Sequence, residues 1–358
     1  MLLLFIATTA AALAHDVDLH HLPLGDGHLS TAPKKGWIWA CRVDPQAGGA
    51  DRKGPWIHDD GTYDFTTKAV VGGSVRWPYR FEVSKRGDKR VFAANDLPNH
   101  QTGEFPIRPT DAAFAYDKNP NSLREQQMHV EIPANPVAAA TASCAPGAVG
   151  FLLSGAVLFN ALDAPGRDAV AHETQDACQG HPQESGVYHY HSLSSCVKDE
   201  PGADGHSKLL GYALDGFGIF GRKGVGGKTL TSADLDECHG HTHEIEWDGK
   251  RVTMYHYHAT WDFPYTVGCL RGAYDRENVR VISGPPRGGR GRDGIPGEPQ
   301  PHPHRGGPPP LGPVAKKLGI SEEKLRDALG PPPPDLEGAA RKLGIPVERL
   351  REALPRPE

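Results

Sequence analysis

The sequence lacks a charge excess of either sign. Its 358 residues hold 39 Lys and Arg against 44 Asp and Glu, which gives a formal net charge of −5. A protein that binds a polyanion carries a surplus of basic residues, so this balance argues against nucleic acid as a partner. After residue 14 no run approaches the roughly 20 apolar residues that cross a bilayer, so we expect no transmembrane segment in the mature chain.

The cysteines include no C-x-x-C pair, and this absence argues against a zinc knuckle or a thioredoxin-type site. The six cysteines are Cys41, Cys144, Cys178, Cys196, Cys238 and Cys269. An even number favours three disulfides formed in an oxidising compartment. Counting alone leaves their connectivity open.

The first 14 residues, MLLLFIATTAAALA, have the character of a signal peptide. They combine an apolar run with Ala12-Leu13-Ala14, a small-x-small pattern that signal peptidase accepts, and a polar segment follows. The usual basic start is missing. We interpret residues 1–14 as a signal peptide and expect a secreted, periplasmic or cell-surface protein.

Residues 15–36 are expected to form an N-terminal arm. Cleavage after Ala14 would expose the amine of His15, which could bind copper through its amine and ring. His20, His21 and His28 make a loose metal-binding arm a second interpretation, and a plain disordered arm is the third.

The end of the chain has a different composition from the middle. Residues 284–313 are dominated by Gly and Pro and predict a linker, since neither helix nor paired strands tolerate that composition. Residues 314–358 hold two copies of one pattern, VAKKLGISEEKLRDAL and AARKLGIPVERLREAL. Each predicts a helix ended by glycine and a second helix opened by Ser321 or Pro346. We expect these two short helical repeats to serve self-association or a protein partner.

Residues 37–283 predict a domain of β structure. Short alternating apolar segments bounded by Gly, Pro, Asn or Asp predict strands, and long amphipathic helical windows are scarce. The predicted strands are 37–41, 74–77, 80–83, 128–132 and 279–282. We expect a mainly β fold, either a mostly antiparallel β sandwich or a compact β fold with large disulfide-stapled loops, followed by the helical tail.

A repeat within this domain carries the chemistry. The pattern D-x-C-x-G-H occurs at Asp176–His181 and again at Asp236–His241. Each copy is followed by the tetrapeptide Tyr-His-Tyr-His, at 188–191 and at 255–258, and then by a further cysteine. So many uncommon residue types repeated in order indicate a duplication.

The tetrapeptide predicts a metal clamp on a strand. Residues two apart in a strand share a face about 6.5 to 7 Å apart, a spacing that lets two imidazoles converge on one ion at about 2.0 to 2.1 Å. The candidate ligands are His181, His189, His191, His241, His256 and His258. Two clamps related by a pseudo-twofold axis would form a shared or paired site. Imidazole ligands without free thiolate favour copper or zinc.

Other residues near the repeat are weaker candidates. Further ligands or outer partners are Asp176, Asp236, Glu173, His239, His243 and His100, and a coordinating carboxylate would make iron or manganese competitive. The segment LGYALDGFGIFG from Leu210 predicts a central strand with glycines that admit a neighbouring backbone. Asp215 within it and Glu237 are the catalytic candidates. The segment is not a phosphate loop, because the Lys-Ser/Thr that should follow is missing.

These residues resemble a known family. The duplicated YHYH, the segment LGYALDGFGIFG and the upstream NDLPNH and TGEFP are similar to the YHYH domain family of secreted and surface proteins, over roughly residues 37–272. The chain has Gly218 where many relatives have proline. The resemblance implies homology and no settled activity.

The repeat also bears on the disulfides and on function. Because each copy places a cysteine on either side of its own YHYH strand, we expect Cys178–Cys196 and Cys238–Cys269, with Cys41–Cys144 by elimination. The leading hypothesis is a secreted metal-binding protein. One alternative is a non-catalytic recognition module whose YHYH tyrosines and several tryptophans contact a glycan or partner. The other is a metal-dependent hydrolase that uses Asp215 or Glu237 as its base.

Overall fold

A computed structural model describes residues 17–45, 48–275, 279–283, 311–329 and 336–353. These residues form two compact units, one that extends to Ser283 and one that begins at Leu311. The predicted signal peptide, His15 and nearly all of the predicted linker lie outside the described residues. Within the described ranges, no helix combines the length and the apolar character needed to cross a membrane.

The first unit is mainly β, as predicted. Its strands are β1 (Leu22–Pro23), β2 (Thr62–Tyr63), β3 (Val70–Val71), β4 (Phe81–Arg86), β5 (Lys89–Ala94), β6 (Gln126–Pro133), β7 (Ala138–Ser143), β8 (Ala148–Leu152), β9 (Val157–Phe159), β10 (Gln175–Asp176), β11 (Gly180–Pro182), β12 (Tyr188–Tyr190), β13 (Leu209–Ala213), β14 (Gly218–Phe220), β15 (Gly240–Trp247), β16 (Lys250–His258), β17 (Leu270–Gly272) and β18 (Val279–Ser283). One short helix, α1 (Ala169–His172), lies between β9 and β10. The strands form one eight-stranded sheet, one four-stranded sheet and three pairs. Three pairings, β3–β10, β9–β12 and β14–β16, are parallel, so the large sheet is mixed rather than purely antiparallel.

Local sequence explains the longest hairpin. Asp248 and Gly249 join β15 to β16 with φ angles of 49° and 75°. A two-residue turn with both residues left-handed matches the twist of the flanking strands, and Asp-Gly is among the pairs that adopt it most readily. This hairpin carries the second copy of the repeat.

Two predicted strands are wrong. Residues 37–41 and 74–77 make only isolated bridges, such as Ile38 to Leu29 and Val75 to Thr102. Ile38 is fully buried in an apolar cluster with Leu22. The alternating apolar pattern of residues 37–41 therefore reflects burial against loops and not pairing within a sheet.

The described part of the predicted arm is a piece of the first unit. Leu22 is buried and belongs to β1, which pairs with β2. His20 and His21 bond to aspartates, and His28 stacks on a tryptophan ring. Residues 17–36 are therefore folded with the first unit and are not a plain disordered arm, whereas a metal-binding role for His20, His21 and His28 stays a prediction.

The eight-stranded sheet has an internal twofold symmetry. Its strand order is β11-β12-β9-β8-β13-β14-β16-β15, so each half holds one hairpin beside one YHYH strand and its partner. At the centre, β8 and β13 pair antiparallel. The amide of Leu153 donates to the carbonyl of Leu210 at 2.8 Å, and the amide of Leu214 donates to that of Val149 at 2.9 Å. These reciprocal bonds place the pseudo-twofold axis between β8 and β13.

The segment LGYALDGFGIFG is a hairpin, which corrects its prediction as one strand. It supplies β13 and β14, and the turn between them contains Gly216 at φ 92°. A strand cannot continue through such a left-handed residue. The close backbone approach expected of its glycines is present, because a Cβ on Gly211 would overlap the carbonyl oxygen of Phe151.

The three disulfides have the predicted connectivity. They join Cys41 to Cys144, Cys178 to Cys196 and Cys238 to Cys269. The last two close segments with sequence separations of 18 and 31 residues, and each segment carries one YHYH strand. Each copy of the repeat therefore has its own covalent clamp.

The second unit confirms the helical repeats. Its helices are α2 (Leu311–Leu318), α3 (Glu322–Leu329), α4 (Leu336–Leu343) and α5 (Val347–Ala353). Gly319 and Gly344 follow the first helix of each copy with φ angles of 73° and 68°. The hydroxyl of Ser321 accepts the amide of Lys324 at 3.2 Å, which caps the second helix of the first copy. Leu325 and Leu350 are fully buried in a core made by these helices.

Candidate metal centres

The candidate histidines form two separate groups. The three-histidine site consists of His181, His189 and His191, and the four-histidine site consists of His206, His241, His256 and His258. Within each group, one ring nitrogen from every histidine lies within 4.8 Å of the others. All six predicted histidines are present, divided by repeat, so the two clamps do not share one site.

Strand pairing builds both groups in the same register. His181 on β11 lies opposite His189 on β12, and His241 on β15 lies opposite His256 on β16. The second histidine of each YHYH lies two residues further along the chain, His258 at the end of β16 and His191 directly after β12, and so on the same face as the first. Each site thus takes one histidine from an outer strand and two from its neighbour.

In the three-histidine site, backbone carbonyls fix the ring protons. Nδ1 of His191 lies 2.6 Å from the carbonyl oxygen of Asn160, and Nδ1 of His189 lies 3.3 Å from that of Val187. A carbonyl oxygen can only accept, so both Nδ1 atoms carry the proton. In the neutral rings the Nε2 atoms therefore present bare lone pairs, and these two atoms lie 3.1 Å apart.

Two further groups in this site have no hydrogen-bond partner. Neither ring nitrogen of His181 has one, although both atoms are buried. The carboxylate oxygen Oε2 of Glu173 is likewise buried and unpartnered, and it lies 3.5 Å from Nε2 of His181 and 3.4 Å from Nε2 of His191. Buried polar atoms are normally satisfied, so Nε2 of His181 and Oε2 of Glu173 are free to meet a ligand placed between them.

The four-histidine site repeats the pattern. Nδ1 of His258 lies 2.6 Å from the carbonyl oxygen of Gly221, and Nδ1 of His256 lies 3.0 Å from that of Met254. Nδ1 of His206 lies 2.7 Å from the carbonyl oxygen of Ser207.

The Nε2 atoms of this site again face one another. Nε2 of His256 lies 3.1 Å from Nε2 of both His206 and His241, and Nε2 of His206 lies 3.0 Å from Nε2 of His258. Bare nitrogens at this distance repel. Nitrogens that share an ion at 2.0 to 2.1 Å lie about 2.8 to 3.4 Å apart, for bond angles between about 90° and 109°.

Burial keeps these rings neutral. It lowers the pKa of His191 and of His241 to about 4 and the pKa of His256 to about 3. Burial also lowers the pKa of His189 well below its ordinary value and raises the pKa of Glu173 well above its own. Neutral imidazole is the form that binds metal, and a bound cation would favour the ionised carboxylate of Glu173.

The repeated aspartates hold the tyrosines and belong to neither histidine group. The hydroxyl of Tyr188 donates to Asp176 at 2.8 Å, and that of Tyr255 donates to Asp236 at 3.0 Å. The tyrosine ring crosses the glycine of D-x-C-x-G-H, where a Cβ on Gly180 would overlap it. This contact explains why the repeat keeps aspartate, glycine and tyrosine together.

The catalytic candidates lie outside both sites. Asp215 is fully buried and accepts hydrogen bonds from the hydroxyl of Tyr257 at 2.6 Å and from the amide of Gly272 at 2.8 Å. Its counterpart in the first copy is Ser154, whose hydroxyl lies 3.2 Å from that of Tyr190. Asp215 therefore supports the YHYH strand. Glu237 is exposed and belongs to neither site.

The remaining histidine candidates differ in position. His239 occupies a left-handed turn at φ 74°, like Gln179 at φ 57° in the first copy, and bonds to a threonine. His100 lies near the sulfurs of one disulfide, which offer no thiolate, and its Nε2 bonds to Tyr190 at 2.5 Å. His243 lies beside the four-histidine site, with its ring centroid 5.8 Å from that of His206.

Sequence reasoning missed His206 and the full length of the duplication. Residues 148–160, AVGFLLSGAVLFN, align with residues 209–221, LLGYALDGFGIFG, and both form a hairpin beside a YHYH strand. Asn160 and Gly221, whose carbonyls hold the two YHYH rings, are equivalent positions in this alignment. The shared Gly-Phe/Tyr start was the available signal. His206 has no counterpart in the first copy, so the sequence held no signal that pointed to it.

Comparison with known proteins supports the family and nothing finer. No curated protein and no solved structure matches the chain. A family model described as YHYH protein matches residues 129–230, a range that contains the three-histidine site, Glu173 and His206 and stops before Tyr255. The chain therefore carries a YHYH family segment at residues 129–230, as its motifs predicted.

Proposed function

We propose that this protein binds two transition-metal ions, one in each histidine site, and that the metal is copper or zinc. One observation carries the proposal. In both sites, Nε2 atoms face one another at 3.0 to 3.1 Å while their Nδ1 atoms donate to backbone carbonyls. A cation between the lone pairs turns this repulsion into coordination.

The donor sets support the choice of metal. The four-histidine site offers four imidazoles, and the three-histidine site offers three imidazoles and the Glu173 carboxylate. Imidazole suits zinc and copper, and no free cysteine is present among the described residues to recruit a softer ion. The ring protons held by Asn160, Gly221 and other carbonyls are the outer contacts that orient metal-binding histidines.

We further propose that the protein acts outside the cytoplasm. The support is the signal-like character of residues 1–14 together with three disulfides, which persist in an oxidising compartment.

The two alternatives have weaker support from their proposed residues. The four YHYH tyrosines are buried, so they offer no surface for a glycan or a protein partner. Of the tryptophans, Trp37 and Trp77 are only partly buried. Neither Asp215 nor Glu237 belongs to a histidine site, so neither would act as a base beside a bound ion.

Elemental analysis tests the proposal. The full chain, purified from the periplasm or the medium without chelators, should contain close to two equivalents of copper and zinc together and should regain them after chelation and dialysis against one of these metals. A protein that carries no transition metal and takes up none would show that the histidines are structural.

A further inference from the structure

The two histidine sites differ in their access to solvent. The side chains of the three-histidine site are all buried, with relative exposures of 4%, 3% and 3% for His181, His189 and His191. In the four-histidine site, His241 is only half-buried. It lies on β15, the edge strand of the eight-stranded sheet.

A fifth histidine lies at this open edge. His243 follows His241 by two residues on β15 and so shares its face. Its ring centroid lies 5.8 Å from that of His206, with the planes only 15° apart, and 6.3 Å from that of His241. The side chain is half-buried, so it reaches both the site and the solvent.

One nitrogen of this ring is unsatisfied. Nδ1 of His243 is buried and has no hydrogen-bond partner. An unpaired buried acceptor or donor costs free energy, and such groups are rare unless a ligand meets them. At the matching position of the first copy, the side chain of Gln183 is paired, because its amide nitrogen donates to the hydroxyl of Ser185 at 2.7 Å.

We propose that the four-histidine site is where an ion is loaded and released, and that His243 is the residue that holds the ion first. The inference rests on the proposed function. A hydrated Zn²⁺ or Cu²⁺ ion exchanges one water for the imidazole of His243. It then exchanges that imidazole and its remaining waters for the Nε2 atoms of the four-histidine site. The ion keeps its charge throughout, so the transfer needs no oxidant or reductant. The three-histidine site exchanges slowly because all three of its histidines are buried.

Stopped-flow zinc transfer to a chromophoric chelator tests this proposal on the full chain. The zinc-loaded protein should release one equivalent in a fast phase and one in a slow phase. His256→Gln should remove the fast phase, and His189→Gln should remove the slow phase. His243→Gln should slow both fast release and zinc uptake by roughly 10-fold, the lower end of the effect of losing a supporting residue, with unchanged stoichiometry. His129→Gln, an exposed strand histidine paired with Glu131, is the matched control and should change neither rate.

Three results would overturn the inference. The first is unchanged release and uptake rates in His243→Gln. The second is the loss of a whole zinc equivalent in that variant, which would make His243 a permanent ligand. The third is equal release rates for the two zinc equivalents of the wild-type protein. A wild-type protein that binds no zinc or copper would instead refute the proposed function itself.

Discussion

The two histidine sites share three histidine positions and differ in the fourth candidate donor. The duplication supplies the outer-strand histidine and the two YHYH histidines in both copies, with the same strand register. The fourth group comes from outside the repeat in each case. Glu173 follows α1 in the first copy, and His206 precedes β13 in the second. A duplicated strand pair therefore fixes the three shared histidines, and a neighbouring segment supplies the fourth group independently.

The difference in the fourth donor fits the difference in burial. A divalent ion among neutral imidazoles keeps its full charge, and a buried charge without a counter-ion is costly. The more deeply buried three-histidine site has the Glu173 carboxylate, which would offset part of the charge of an ion bound there. The four-histidine site lies at a sheet edge, where water reaches His241 and compensation matters less.

The largest expected effect separates the two sites. The double substitution of His189 and His191 by Gln should remove one equivalent of metal and leave the other intact, because the groups are separate. His256 and His258 replaced by Gln should remove the complementary equivalent. Equilibrium dialysis with elemental analysis measures both. If either double variant lost both equivalents, the sites would be interdependent, and full stoichiometry and affinity in both would contradict the ligand assignment.

Removing only the fourth donor should have a smaller effect. Glu173→Gln should weaken metal binding at the three-histidine site by about 10- to 100-fold, on the scale of losing one supporting group, and leave the four-histidine site unchanged. His206→Gln is the matched change in the other site. Competition with a chelator of known affinity gives both constants. Equal affinities in Glu173→Gln and the wild type would show that the carboxylate is not a ligand.

The next prediction concerns stability and not metal. Asp215→Ala should lower the free energy of unfolding by about 1–3 kcal/mol, because it leaves buried partners such as the Tyr257 hydroxyl unpaired. Asp215→Ser copies Ser154 of the first copy and should cost less. Chemical denaturation measures both, and metal stoichiometry should stay at two. If Asp215→Ser lost one equivalent of metal, Asp215 would have to be counted among the residues that support metal binding.

The smallest expected effect is on the tail. A chain that ends at Ser283 should keep its cooperative melting and both metal equivalents, because the helices α2 to α5 pack into a core of their own. Thermal unfolding followed by circular dichroism, together with metal analysis, checks this prediction. A truncated chain that lost its cooperative transition would show that the first unit depends on the helical repeats.

Local chemistry made much of the fold and of the sites predictable. The period of a strand placed the two histidines of each YHYH on one face, the glycines Gly319 and Gly344 ended helices, and the position of each cysteine pair around its YHYH strand anticipated two disulfides. These features depend on residues close together in the chain or in one motif.

Features that depend on contacts between residues far apart in the chain could not be predicted from the sequence pattern. His206 joins its site through a loop that reaches β16 from 50 residues away, and no motif marks it. Apolar alternation at 37–41 reflects burial against loops, which the pattern cannot distinguish from strand pairing. Asp215 resembles a catalytic acid in sequence, and only the tyrosine and the amide that it bonds reveal its structural role.

Anomalous diffraction at the absorption edge of the bound metal tests the central claim most directly. Crystals of the full chain grown with zinc or copper should show two strong peaks. One should lie within bonding distance of His181, His189 and His191, and the other should lie within bonding distance of His206, His241, His256 and His258. No peak at either group, or peaks bound only elsewhere on the protein, would contradict the assignment of these histidines as metal ligands.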